Sequence, residues 1–293
     1  MDAVIETRGL TKDYGSFRAL DRLDLSVPRG AVYGLLGRNG AGKTTAIRLL
    51  MGLLSPSKGE VTVLGGGPRD GDEARLDRIG YVSESMDIPP WMTVGEAATF
   101  CRGLSRRWDT DYEHRLYDAL AIPPDAVVGH LSAGQRRKAG LLLAMAPRPE
   151  LLILDEPASS LDTVVRREFL EQAVELLTDE GTTIFYSSHI LSDVERIADH
   201  VGVLSLGRLL LDQRLDDLLD SARRVRIRFD GDAPSDFDLP GSVRTQRLGG
   251  EVMITVLGFR DEDLAGLPDG AKAETMPIGL EDLFIDMVRE EGR

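Results

Sequence analysis

A strand, a glycine-rich loop and a helix follow one another between Ala31 and Leu50, and this succession restricts the fold more tightly than any other segment. Ala31 to Leu36 is a mostly apolar run that fits a buried strand. Gly37-Arg38-Asn39-Gly40-Ala41-Gly42-Lys43-Thr44-Thr45 follows, and Thr44 to Leu50, rich in Leu, Ile and Ala, reads as helix. The spacing is that of a phosphate loop, G-x-x-x-x-G-K-[ST]. Its glycines let backbone N–H groups turn inward on phosphate oxygens, and the helix N-terminus adds partial positive charge. Lys43 is expected to reach the β- and γ-phosphates, and the Thr44 hydroxyl to ligate Mg²⁺. The implied ligand is a nucleoside triphosphate.

A second constraint lies downstream. Leu151-Leu152-Ile153-Leu154 is a short apolar run of the kind that forms a buried parallel strand, and it ends on Asp155-Glu156. Such a strand delivers two carboxylates to its C-terminal edge, where open α/β sheets bind ligands. One carboxylate suits Mg²⁺ and the next suits polarising a water. Read alone, the pair would serve equally as an acidic turn beside Pro157. Thr182 to Ser187 and Val201 to Leu206 read as further strands. Helices are expected near Thr163–Leu177 and Ile190–Ile197, and residues from about Thr93 to Pro147 read as mainly helical. Strands alternating with helices point to a parallel α/β sheet. The stretch ahead of the phosphate loop reads as short strands and turns.

Several motifs in order resemble the ATP-binding subunits of ATP-binding-cassette (ABC) transporters, from about Val4 to Leu215. Leu131-Ser132-Ala133-Gly134-Gln135 is similar to the family signature L-S-G-G-Q. Ala158-Ser159-Ser160-Leu161-Asp162 resembles its D-loop, His189 its switch histidine, and Tyr14 the aromatic that stacks on adenine. The resemblance implies ATP and Mg²⁺ as ligands, bound by Tyr14, Gly37 to Thr45, Glu84, Ser132, Gly134, Gln135 and Asp162. Metal contacts fall to Thr44, Asp155 and Glu84. Catalytic roles fall to Glu156 as water polariser, His189 at the γ-phosphate and Lys43 as charge clamp. It also implies that the signature acts on ATP bound by an opposite subunit, itself or a related ATPase. Hydrolysis would then drive a separate transmembrane permease. Ser132 read alone is a helix N-cap, His189 a strand-end histidine and Tyr14 a turn tyrosine. His114, His130 and His200 match no motif and are expected to be solvated.

Two positions depart from the family pattern. Glu84, in Ile79-Gly80-Tyr81-Val82-Ser83-Glu84, stands where the family usually has Gln; it would add negative charge beside Asp155 and Glu156 and tighten Mg²⁺ dependence, or else point to solvent. Ala133 replaces a signature glycine, placing a methyl where phosphate would approach. Between them, Met86, Ile88, Pro89, Pro90, Trp91 and Met92 form an apolar, stiff cluster. In the family this region faces the permease; the alternative is that Trp91 anchors the helical core.

Past Asp220 the character changes. Arg224 to Phe229 alternates basic and apolar, and Val252, Ile254 and Val256 recur at every second position, which predicts half-exposed strands around a loop at Asp230–Pro240. Leu280, Leu283, Phe284 and Met287 fall on one helical face. The expected fold is thus an ABC nucleotide-binding domain over residues 1–220, a P-loop NTPase with a parallel α/β core. It carries an antiparallel β subdomain and a helical insertion at about 88–147, and a small α+β domain follows over 222–293. Gly279 to Phe284 resembles endings of exporter-type subunits.

Composition closes off other classes. Lys and Arg number 35 against 49 Asp and Glu, a net charge of −14, which disfavours nucleic acid and anionic lipid as partners. One cysteine, Cys101, allows no intrachain disulfide and fits a reducing cytosol. No apolar run has the length of a membrane span, so a peripheral place on the inner membrane face requires the permease. A non-transport ABC ATPase and a binding clamp without turnover are the rival readings.

Overall fold

A computed structural model describes residues 2–68, 71–85, 87–159, 161–178, 181–268 and 270–290. Met86 and Ser160, quoted above, lie outside the described residues. The chain divides into two compact units, Met1–Asp212 and Gln213–Arg293.

In the first unit the strands are β1 (Ala3–Tyr14), β2 (Phe17–Pro28), β3 (Val32–Leu36), β4 (Lys58–Val63), β5 (Ile79–Val82), β6 (Leu151–Asp155), β7 (Thr183–Ser188), β8 (His200–Ser205) and β9 (Arg208–Arg214), the last crossing the division. The helices are α1 (Lys43–Leu50), α2 (Glu73–Leu76), α3 (Val94–Arg102), α4 (Thr110–Leu120), α5 (Ala133–Met145), α6 (Thr163–Thr178) and α7 (Leu191–Ile197).

Six strands form one sheet in the order β5-β6-β7-β3-β8-β9, and β5 through β8 pair parallel. Every residue of β3, β6 and β7 is buried, which fits the mostly apolar β3 and the apolar run of β6, while β7 also buries Thr183, Ser187 and Ser188. Because β3, β6 and β7 run parallel, their C-terminal ends open on one edge, with Leu36 paired to Ser188 and Asp155 to Ser187. The glycine loop and the carboxylate pair therefore leave the sheet side by side.

A second sheet, β2-β1-β4, is antiparallel. Its first two strands are twelve residues each, not the short strands and turns read from the sequence. Register shifts after Ala3, Thr7, Leu10 and Lys12 interrupt the alternation of faces along β1, so its length is hidden in the pattern. Between β5 and β6 lie α3, α4, a 3₁₀ turn at Val128–His130 and α5, matching the expected helical insertion. Thr93 and Ser132 each close a capping box on the helix they precede, with Glu96 and Gln135.

The second unit holds α8 (Leu215–Ser221), β10 (Arg223–Arg228), β11 (Ser242–Leu248), β12 (Glu251–Val256), β13 (Lys272–Pro277) and α9 (Leu280–Glu290). The strands form an antiparallel sheet in the order β11-β12-β10-β13. Val225, Ile227, Val252, Ile254 and Val256 bury one face with Leu239. On α9, Leu280, Leu283, Phe284 and Met287 are all buried. Asp286 on the same helix is also buried. It accepts hydrogen bonds from Arg224 at 2.9 Å, Arg244 at 2.6 Å and Thr255 Oγ1 at 2.7 Å.

Candidate active site

A cleft of about 570 Å³ opens at the strand ends of the six-stranded sheet, lined by residues that include Tyr14, Asn39, Gly40, Gly42, Lys43, Thr44, Thr45, Glu84, Glu156 and His189. Gly42 sits at φ 113°, and a Cβ there would stand 2.7 Å from the Ala19 carbonyl oxygen. Only glycine fits this turn into α1. α1 begins at Lys43 with no side-chain cap and no acidic residue in its first turn, so neither local device satisfies its leading N–H groups.

Lys43 Nζ donates to the carbonyls of Gly37 at 2.6 Å and Arg38 at 3.3 Å, and pairs with Glu156 Oε1 at 3.0 Å. Gly37, Arg38 and Ala41 thus shape the loop from behind, while Asn39, Gly40 and Gly42 through Thr45 face the cleft. Thr44 Oγ1 lies 3.3 Å from Asp155 Oδ1. Burial raises the Asp155 carboxyl above the usual range, opposed by hydrogen bonds from Ser187 and Thr44.

Glu156 holds φ at 48°, in the left-handed region that non-glycine residues rarely occupy. Such strain costs on the order of 1–3 kcal/mol and persists only where neighbours enforce it. Its Oε2 lies 2.9 Å from His189 Nδ1, and its carboxylate therefore stands between Lys43 and His189. The sequence did not single out Ser187, which is fully buried. It accepts from the Glu156 N–H at 2.9 Å and donates to Asp155 Oδ1 at 2.8 Å. Phe17 and Ala19, also unmarked by any motif, line the cleft, as does Ser159 of the D-loop-like segment.

Glu84 is exposed at the cleft. Next to it, the Ser83 carbonyl accepts from Arg137 Nη1 of α5 at 3.1 Å. Burial pushes the Arg137 guanidinium down from its ordinary value, and the Glu84 charge partly restores it. Tyr14 is partly exposed, with Lys12 Nζ 5.1 Å from its ring centroid.

The structure does not bring every motif residue together. Ser132, Gly134, Gln135 and Asp162 do not line this cleft. Ser132 Oγ accepts from the Gln135 N–H at 3.2 Å, so it is a helix N-cap within its own chain. Asp162 accepts from the N–H groups of Val164 and Val165, both at 3.1 Å, at the start of α6. Gly134 is buried where a Cβ would stand 2.6 Å from Val165 Cγ1, whereas Ala133 is exposed. Within the signature segment, Gly134 is the position where a side chain would crowd its neighbours.

One expectation changes. His200 is not solvated: its side chain is 15% exposed, bonds Asp199 at 2.6 Å and stacks on Tyr33 with centroids 6.5 Å apart. His114 and His130 are exposed as expected. Trp91 is 78% exposed, so among the described residues the alternative of a core anchor does not hold.

A sequence profile described as "ABC transporter" matches residues 20–159. The chain is 35% identical over 226 residues to the bacitracin transport ATP-binding protein BcrA of Bacillus licheniformis, covering 76% of this chain and 74% of that protein. It is 32% identical to the Nod factor export ATP-binding protein I of Cupriavidus metallidurans along 100% of both chains. A ribose import ATP-binding protein of Pseudomonas putida is similar as well. A solved ATP-binding subunit of an ABC transporter superposes with a TM-score of 0.66 at 28% identity, over 73% of this chain and 91% of that one.

Proposed function

Because the chain belongs to the ABC family of transporter ATP-binding subunits, which bind and hydrolyse ATP, we propose that two copies, or this chain and a close relative, close around two ATP molecules and power a separate membrane permease. One observation carries the reading. Lys43, Thr44, Glu156 and His189 line one cleft, with Asp155 Oδ1 3.3 Å from the Thr44 hydroxyl, while Ser132, Gly134, Gln135 and Asp162 lie outside it. Each chain then supplies half of two sites. Functionally we assign ATPase work to residues 1–220, with the helical insertion at about 88–147, and an accessory role to 222–293.

Thr44 and Asp155 suit Mg²⁺. They offer hard oxygen donors 3.3 Å apart at a helix N-terminus, and among the described residues no group of three or more His, Cys, Asp or Glu forms an all-protein cage. Mg²⁺ favours that arrangement, a few protein oxygens completed by phosphate and water. When bound, it would neutralise charge on the phosphate oxygens. In this reading Lys43 binds the β- and γ-phosphates and Tyr14 stacks on the base. Glu156 orients and polarises the attacking water, and His189, 2.9 Å from Glu156, positions that carboxylate and donates toward the γ-phosphate.

Among the described residues no helix is long and apolar enough to cross a membrane. By its likeness to transporter ATP-binding subunits, the reading places the chain on the cytoplasmic membrane face through a permease, with Trp91 in the contact. Export is favoured over import because the Nod factor export protein matches along its whole length, second unit included.

The test is ATP hydrolysis across a protein concentration series, with Glu156→Gln as control. Activity rising more steeply than concentration, and lost in the variant, supports the dimeric ATPase. ATP binding without turnover at any concentration would favour the clamp reading instead.

A further inference from the structure

Glu156 occupies a backbone conformation that its own side chain does not favour, so something beside it must hold the main chain. The candidate is on the neighbouring strand. In β7, Ser187 stands in register with Asp155 of β6 and is fully buried. Its hydroxyl does two jobs at once: it accepts from the Glu156 N–H at 2.9 Å and donates to Asp155 Oδ1 at 2.8 Å. A serine hydroxyl supplies one donor and two acceptor positions, so both bonds form together without competition. Asp155 Oδ1 is the same oxygen that faces Thr44.

We propose that Ser187 is a positioning residue for hydrolysis, a hydroxyl clip that fixes the water-polarising Glu156 relative to the metal-side Asp155. The inference rests on the ATPase reading above. The left-handed turn at Glu156 aims its carboxylate back between Lys43 and His189. The clip ties the amide of that turn to the carboxylate whose oxygen meets the phosphate-loop threonine. Without it, the Glu156 N–H loses its acceptor and the turn can relax toward common backbone angles. Phosphate binding through the glycine loop involves none of these bonds. Loss of the clip is therefore expected in the chemical step and not in nucleotide affinity.

The experiment compares wild type with Ser187→Ala, Ser187→Thr and Ser187→Cys in the full chain. It reads kcat, KM, thermal unfolding, and equilibrium affinity for a fluorescent ATP analogue with Mg²⁺ and with EDTA. The expected result is a kcat at least tenfold lower in Ser187→Ala, with KM and both affinities within threefold of wild type. Ser187→Thr, which keeps the hydroxyl, recovers kcat to within threefold. Should Ser187→Ala fail to fold, Ser187→Cys carries the same test, because its thiol matches the shape but is a weak hydrogen-bond partner. An unchanged kcat in the folded variant overturns the proposal. So does a parallel loss of affinity, or a threonine variant that folds without recovering, since either marks a merely structural role. Failure of the ATPase reading itself would appear differently, as wild-type protein with no turnover sensitive to Glu156→Gln, and would overturn both.

Discussion

Lys43 Nζ and Glu156 Oε1 stand 3.0 Å apart, although one opens the helix after the glycine loop and the other follows a strand two places across the sheet. The pair joins the group expected to bind phosphate to the group expected to activate water. Their functions should nevertheless separate on substitution. Lys43→Ala is expected to weaken ATP binding strongly. Glu156→Gln should leave binding intact and lower kcat by about a hundredfold or more, the scale of a lost general base. Equilibrium binding and steady-state kinetics on both variants check this.

Glu84 lines the cleft where a neutral amide is usual in the family, and its charge also supports the buried Arg137. Glu84→Gln is expected to shift half-maximal Mg²⁺ for hydrolysis upward. Overlapping Mg²⁺ titrations for the two proteins would remove that role.

The signature segment makes opposite forecasts at adjacent positions. Ala133→Gly, at an exposed helix start, should cost about 1 kcal/mol or less in stability and change turnover by no more than a few-fold. Gly134→Ala must push Val165 away from a 2.6 Å contact, with an overpacking cost of about 1–3 kcal/mol. Denaturant midpoints and ATPase rates for the two variants distinguish them.

Trp91 presents a large apolar surface that is 78% exposed. Trp91→Ala should leave the unfolding midpoint unchanged while reducing co-purification with the permease. A drop in the midpoint instead would return this residue to a packing role.

Asp286 gives the second unit a pH dependence. Burial alone would raise its carboxyl, but Thr255, Arg244 and Arg224 outweigh that and hold it below the usual range. A depressed folded value adds stability above the unfolded value of about 3.9, and that stability is lost as pH falls through the folded value. Asp286→Asn should therefore lower the unfolding midpoint of the full chain at pH 7, with a gap that closes below about pH 4. Asp286→Ala should be worse still, since besides the charge it removes the side-chain oxygen that accepts from Arg224, Arg244 and Thr255.

Contiguous residues determined what the sequence alone reveals. A glycine loop must turn where Gly40 and Gly42 permit positive φ, and an apolar run must deliver Asp155 and Glu156 to the edge of a buried sheet. These depend on local backbone geometry, so the phosphate loop, the carboxylate pair, the helical insertion and the alternating strands of the second unit were legible. Relationships across the sheet were not. That Ser187 bridges Asp155 and the Glu156 amide, and that His200 packs on Tyr33, follows from strand order and register, which chain order does not encode. Likewise Ser132 reads the same as a cap or as a phosphate ligand. Only the tertiary structure sets it outside the cleft that holds Lys43, because the helix it caps belongs to the insertion and not to the sheet edge.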